Sequence, residues 1–168
     1  VTSNGYEIIY HCTNKGCDAT INKTYAQIIL EAGKESGVNP YHLAARIRQE
    51  QGTKSTASST GKGTYSGYVG YYNYFNINAS GSGASGIIEK ALTTAKNNGW
   101  DNPEKSIKGG SKFLKDQYIN RGQSTLYFQK FDVDNSDGSL YYHQYMQNLQ
   151  ASYSEAITMK KGHTNYNT

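Results

Sequence analysis

Acidic residues disappear from the middle of this chain: after Glu50 the next one is Glu89. Any chemistry at Glu50 therefore has no carboxylate nearby in sequence to share it. Cysteine is almost as scarce. Only Cys12 and Cys17 occur, with four residues between them. No His–Cys spacing has the form of a zinc site, so the pair either closes a small disulfide loop or stays as two thiols. The sequence also lacks GxGxxG at a strand–helix junction, GxxxxGK[ST], HExxH and GxSxG. Those absences remove dinucleotide binding, P-loop phosphate binding, zinc proteolysis and α/β-hydrolase chemistry. Asp132 to Gly138 looks like a calcium loop, but its Gly is displaced and no Glu closes it, so it reads as a turn. No metal or cofactor is expected. No apolar run is long enough to span a membrane. The net charge of +4 is spread without a dense Lys/Arg block, which argues against nucleic acid as a partner. The chain starts at Val1, without Met or a leader, and reads as a mature domain excised from a longer protein.

What is present in excess is tyrosine, 16 against 4 phenylalanines. Tyr covers apolar surface while keeping a polar tip in water, which suits a broad, wet aromatic surface of the kind that binds carbohydrate. At 168 residues the chain is long enough for a core and reads as a single domain over 1–168. Its first 20 residues read as irregular, with a short strand at Tyr6–Tyr10, and its tail from Gly162 as frayed. Periodicity predicts a helix over Thr24–Ser36 with Gly37 as its stop. Two more are predicted around Ile87–Ala95 and from Pro103 to Tyr118. In the latter, Gly109-Gly110 weakens the helix but permits another backbone to come close. Thr125–Val133 reads as extended, and Tyr141 to about Lys161 as a last helix. The aromatic run from Tyr65 to Ile77 suits a short strand or an extended turn. The fold class is mainly α, of the α+β kind.

The central helix is Asn39–Gly52. Asn39 is a good N-cap, Pro40 suits the first helical position and Gly52 ends the helix. Leu43, Ala44 and Ile47 mark its inward face, and Glu50 projects from the same face. A carboxylate there lines a cleft or is paired, because Glu is seldom buried otherwise. The last turn of the helix, with its partial negative charge, disfavours the ionised form. A carboxylic acid that keeps its proton is what cleavage of a glycosidic bond requires. Arg46, four residues earlier, is the competing explanation: a salt bridge to it would make Glu50 ionised and structural. His42 lies to one side of this helix and reads as a packing or surface residue.

Four separated stretches carry a resemblance. They are Tyr41–Gly52, Gly63–Ile77, Thr125–Val133 and His143–Asn148. In this order they resemble the endo-β-N-acetylglucosaminidases of glycoside hydrolase family 73, and among them the peptidoglycan autolysins of Gram-positive bacteria. The resemblance implies a lysozyme-like fold with a helical lobe and a small lobe flanking a cleft. It implies hydrolysis of the β-1,4 bond from N-acetylglucosamine to N-acetylmuramic acid, with Glu50 as general acid. The family's Tyr-Asn-x-Phe-x-Ile motif is Tyr72–Ile77 here, which makes Tyr72 the active-site tyrosine. Tyr68, Asn73, Phe75, Gln51, Gln144, Tyr145 and Tyr142 are the implied substrate-binding set, Tyr142 and Tyr145 being either platforms or core. The implied partner is a peptidoglycan glycan strand, met by a monomer that is secreted or held at the cell wall. The sequence departs from a two-carboxylate scheme, since position 69 is Val69. Either Glu89 or Asp132 comes round in space, or the substrate's own acetamido group serves. A lytic transglycosylase and a non-catalytic glycan-binding module are the alternatives.

Overall fold

The computed structural model describes residues 7–10, 21–52, 59–133, 138, 140–144, 150, 153, 154, 156, 157, 160 and 161. Cys12, Cys17, Tyr145, the segment 134–137 and the tail from 162 lie outside the described residues. The chain clusters into two compact units, 1–111 and 112–168, taken here in turn.

The first unit opens with strand β1 (Glu7–Tyr10), paired antiparallel with β2 (Ile21–Thr24), Glu7 facing Thr24 and Tyr10 facing Ile21. The predicted first strand is present; its partner is not read in the sequence. β2 runs directly into α1 (Tyr25–Ser36), because Thr24 both ends the strand and caps the helix. Its hydroxyl accepts from Gln27 N and the Gln27 side chain accepts from Thr24 N, a capping box that satisfies orphan donors reciprocally. Gly37 stops the helix as predicted. α2 (Pro40–Gln51) follows, with Asn39 Oδ1 accepting from Tyr41 N at 2.9 Å and Gly52 N donating to Arg48 O. α1 and α2 pack on each other.

The inward face of α2 is not quite the predicted one. Leu43 is fully buried, but Ala44 and Ile47 are only half-buried. Arg46 takes the deep position with no exposed surface at all. Hydrophobic patterning assigns a charge to the outside, so a buried arginine is invisible to it. Beside it His42 is 6% exposed. Burial, and secondarily the Arg46 charge, lower its pKa to about 4. A histidine whose folded pKa lies below its unfolded value near 6.5 stabilises the fold above that unfolded value, and the contribution is lost as pH falls toward 4. The expected result is a fall in unfolding free energy between pH 7 and pH 4.5, measured by urea denaturation, of at most about 3 kcal/mol. In His42→Leu that part of the dependence should be gone; an unchanged pH profile would remove His42 as its source.

After α2 the chain from Ser59 to Ser82 makes turns and bends, with no strand among the described residues. The aromatic run is therefore a wall of turns, the second of the two conformations that its composition allows. α3 (Ala84–Asn97) and α4 (Pro103–Gln117) follow. Asn102 caps α4, accepting from Lys105 N at 2.8 Å. The close approach expected at the Gly pair occurs twice, but by side chains where a backbone was expected. A Cβ on Gly109 would sit on Trp100 Nε1, and one on Gly110 would sit on Phe75 Cδ2, each within 2.2 Å. Ile28, Ala32, Leu92, Ala95 and Ile107 complete this core without exposed surface beyond 1%.

The second unit takes over within α4. Tyr118 ends the helix, buried and stacked on His143 at 4.5 Å between ring centroids. A single 3-10 turn (Ile119–Arg121) leads to α5 (Leu126–Phe131). The extended reading of Thr125–Val133 is thus corrected to a helix. Thr125 accepts from Phe128 N as N-cap, and Asp132 closes the helix in the left-handed conformation at φ 48°. Local capping overrides the partial alternation of apolar residues. The last predicted helix is also corrected at its start. Tyr141 and Tyr142 lie in a turn, with Tyr141 at φ 63°, a backbone value that a helix cannot contain. Tyr153, Ser154, Ala156, Ile157, Lys160 and Lys161 are helical as expected. No helix among the described residues is long and apolar enough to cross a membrane.

Candidate active site

Glu50 stands in the last turn of α2, half-buried. Its carboxylate Oε2 accepts from Asn76 Nδ2 at 2.9 Å, and the same amide lies 3.3 Å from the Glu50 carbonyl oxygen. Among the described residues Glu50 takes part in no ion pair. The Arg46 salt bridge that would have made it purely structural does not form. The reason lies in the burial pattern: Arg46 points into the core, whereas Glu50 points at the wall of turns.

That wall is fastened to the end of α2 by the next residue. Gln51 is 6% exposed, and its Nε2 lies 3.2 Å from Asn73 O, 3.0 Å from Tyr74 O and 3.3 Å from Thr60 Oγ1. Thr60 Oγ1 donates to Asn76 Oδ1 at 2.6 Å, and Asn73 N donates to Thr60 O at 2.8 Å. Asn73 has no exposed surface; its Nδ2 donates to Ile77 O and Ala91 O and its Oδ1 accepts from Ile77 N. Phe75 is 1% exposed, packed on Gly110. Asn73, Tyr74, Phe75 and Ile77 thus anchor the wall, and Tyr72 and Asn76 within it are half-buried.

Three residues of the implied substrate-binding set, Gln51, Asn73 and Phe75, are buried, and their polar atoms or ring face protein, so here they shape and hold the wall. Tyr68 is half-exposed, its hydroxyl 2.8 Å from Thr93 Oγ1, and remains available along its ring. Tyr72 is half-buried. Its N donates to Trp100 O, its ring lies parallel to Tyr74 at 6.1 Å, and its hydroxyl end rests over Gly63, where a Cβ would meet the ring carbon Cζ at 2.4 Å. Tyr74 in turn shares a 2.7 Å hydrogen bond with Tyr25 of α1. Burial, with the nearby Tyr25 as a smaller cause, pushes the Tyr72 pKa up. Tyr72 is consequently a neutral hydroxyl at ordinary pH, a hydrogen-bonding group and not a proton acceptor.

In the second unit Tyr142 is 87% exposed, which rules out the core alternative for it, and Gln144 is exposed with a weak 3.5 Å contact to Phe131 O. Of the two candidate second acids, Glu89 is exposed on α3. Asp132 is 1% exposed, its Oδ2 accepting from His143 N at 2.6 Å and its carbonyl from Tyr141 N at 2.8 Å. That carboxylate is committed to folding its own loop. Among the described residues no group of three or more His, Cys, Asp or Glu could hold a metal ion.

Comparison with known proteins now bears on this geometry. The bifunctional autolysin of Staphylococcus epidermidis is 28% identical over 134 residues, 78% of this chain and 10% of its own. The chain is a relative of the staphylococcal autolysins. It spans about a tenth of the length of the curated relatives that it matches. S. aureus autolysin E superposes with a TM-score of 0.69 at 26% identity, over 86% of this chain and 60% of that one. A second structure of that protein holds the muropeptide NAM-L-Ala-D-iGlu. S. aureus glucosaminidase B superposes with a TM-score of 0.59 at 27% identity, over 83% of this chain and 52% of that one. No family model matches the chain. The fold is accordingly the mainly helical, lysozyme-like one of the autolysin glucosaminidases.

Thr60 and Asn76 are the two residues near Glu50 that sequence reading passes over. The signal for Asn76 was available: it lies among turns, it holds φ 49°, and Asn is one of the few residues that accepts such a backbone.

Proposed function

We propose that this chain hydrolyses peptidoglycan at the β-1,4 bond between N-acetylglucosamine and N-acetylmuramic acid, as a monomer acting at the cell wall. Glu50 is the general acid. The observation that carries this reading is a half-buried carboxyl at a helix end, held by a neutral amide and facing a wall without another acid. Supporting it are the autolysin and glucosaminidase relatives and the muropeptide complex of autolysin E.

Glu50 gives its proton to the glycosidic oxygen as the bond from the anomeric carbon breaks. With no carboxylate in the wall that Glu50 faces, the substrate's 2-acetamido oxygen closes on the anomeric carbon from the opposite face. Water then attacks the anomeric carbon from the face that the leaving group vacated. Its oxygen forms the new hydroxyl, the bond to the acetamido oxygen breaks, and the water's proton returns to Glu50. Tyr72, a neutral phenol, orients the acetamido group or the water through its hydroxyl and does not act as base. Tyr68 offers an aromatic face to a sugar ring.

The same single-acid site would serve a lytic transglycosylase, in which an intramolecular hydroxyl replaces water. Product analysis separates the two. Purified peptidoglycan digested by the protein, reduced with borohydride and examined by mass spectrometry should show N-acetylglucosaminitol ends. Products ending in 1,6-anhydro-muramic acid would refute hydrolysis.

A further inference from the structure

The hydrogen bonds around Glu50 have a direction, and that direction is fixed at the next residue, Gln51. Gln51 Nε2 lies against two main-chain carbonyls, Asn73 O at 3.2 Å and Tyr74 O at 3.0 Å. Only an NH2 group can face two carbonyl oxygens, so this amide cannot be turned over. The third neighbour of the same nitrogen, Thr60 Oγ1 at 3.3 Å, is consequently an acceptor from Gln51. The single hydroxyl hydrogen of Thr60 is then free to go to Asn76 Oδ1, 2.6 Å away. With its oxygen so engaged, Asn76 must present its NH2 to Glu50, where it meets Oε2 at 2.9 Å and the main-chain oxygen at 3.3 Å. The reversed amide would set oxygen against oxygen at both contacts. Thr60 is 2% exposed and Gln51 is 6% exposed, so water does not readily substitute in the chain.

We propose that Gln51, Thr60 and Asn76 form a positioning relay that decides which oxygen of Glu50 carries the transferable proton. Oε2 is the acceptor from Asn76, so the transferable proton resides on the other oxygen, Oε1. Neither Thr60 nor Asn76 touches the substrate in this scheme. Their effect is to hold the carboxyl plane at one rotation and one protonation pattern, where small misplacements of an acid cost roughly 100-fold in rate. The inference rests on the reading of Glu50 as the acid.

The test uses Asn76→Gly, Thr60→Val and Thr60→Ser, with Glu50→Gln as a separate arm, on the whole chain and solubilised peptidoglycan strands. Asn76 occupies φ 49°. Glycine adopts that backbone readily, so Asn76→Gly removes the amide while the turn is kept. Valine keeps the shape of threonine without its hydroxyl, and serine keeps the hydroxyl without the methyl. Asn76→Gly and Thr60→Val should each lower kcat roughly 10- to 100-fold, with KM changed less than about twofold. Thr60→Ser should recover most of the rate. The double variant Asn76→Gly with Thr60→Val should be no worse than Asn76→Gly alone, since the two act in series. Full kcat in both Asn76→Gly and Thr60→Val, with Glu50→Gln inactive, would overturn the relay and leave the acid assignment standing. An active Glu50→Gln would overturn the acid assignment itself. A loss confined to KM, or a Thr60→Ser as slow as Thr60→Val, would show a packing effect and also overturn the relay.

Discussion

Glu50→Gln is expected to abolish lysis of purified cell walls while the protein still folds and still sediments with them. The substitution keeps the length and shape of the side chain, and the new amide oxygen can still accept from Asn76 Nδ2, the contact that Glu50 Oε2 makes at 2.9 Å. What is lost is the transferable proton. General acid catalysis contributes typically about 10²–10⁴-fold, so the residual rate should fall near or below the detection limit of a turbidity assay. The far-ultraviolet spectrum and melting temperature should be unchanged, because a half-buried group with no ion-pair partner among the described residues is being exchanged for a neutral isostere. Wall binding separates this reading from that of a passive glycan-binding module. A variant that binds walls and lyses them at the original rate would leave Glu50 with no catalytic role.

The largest structural effect is expected at Phe75. Truncation to Ala removes a ring that is 1% exposed. The surface opposite is Gly110, where any Cβ would overlap the ring. Glycine has no side chain to move into the space, so the cavity relaxes poorly and the cost should sit in the upper part of the roughly 3–5 kcal/mol range for such truncations. For a protein of this size that corresponds to a fall in melting temperature on the order of 10 °C. Leu30→Ala, at a side chain 57% exposed, should shift it hardly at all. A loss below about 1 kcal/mol in Phe75→Ala would mean that the wall of turns is not packed on α4 as described.

Much of this architecture could be read from residue order. The caps of α1 and α2 are local chemistry, written in Thr24, Asn39, Pro40, Gly37 and Gly52, and local chemistry is what a sequence displays directly. The Gly109-Gly110 pair also announced a close approach, although not which rings would use it. Three features were hidden for physical reasons. Arg46 is buried because its neighbours make room for it, and no pattern in α2 signals that. Asn73 and Phe75 belong to a motif associated with a cleft, yet a motif does not distinguish residues that face the ligand from those that hold the ones that do. The helix at Leu126–Phe131 was obscured because six residues hold less than two turns, too few for a period to emerge, while its caps at Thr125 and Asp132 had the decisive information. At the site itself the acid was legible and its orientation was not. Orientation depends on Thr60 and Asn76, 10 and 26 residues away along the chain from Glu50.

The bond between Gln51 and Thr60 has a consequence for how such a domain can be modified. It ties two residues nine positions apart in sequence, and Asn73 N on Thr60 O secures the second of them to the wall. A protein engineer who exchanges the sequence between them therefore has two fixed ends to respect, Gln51 and Thr60, and the carboxyl of Glu50 adjoins the first.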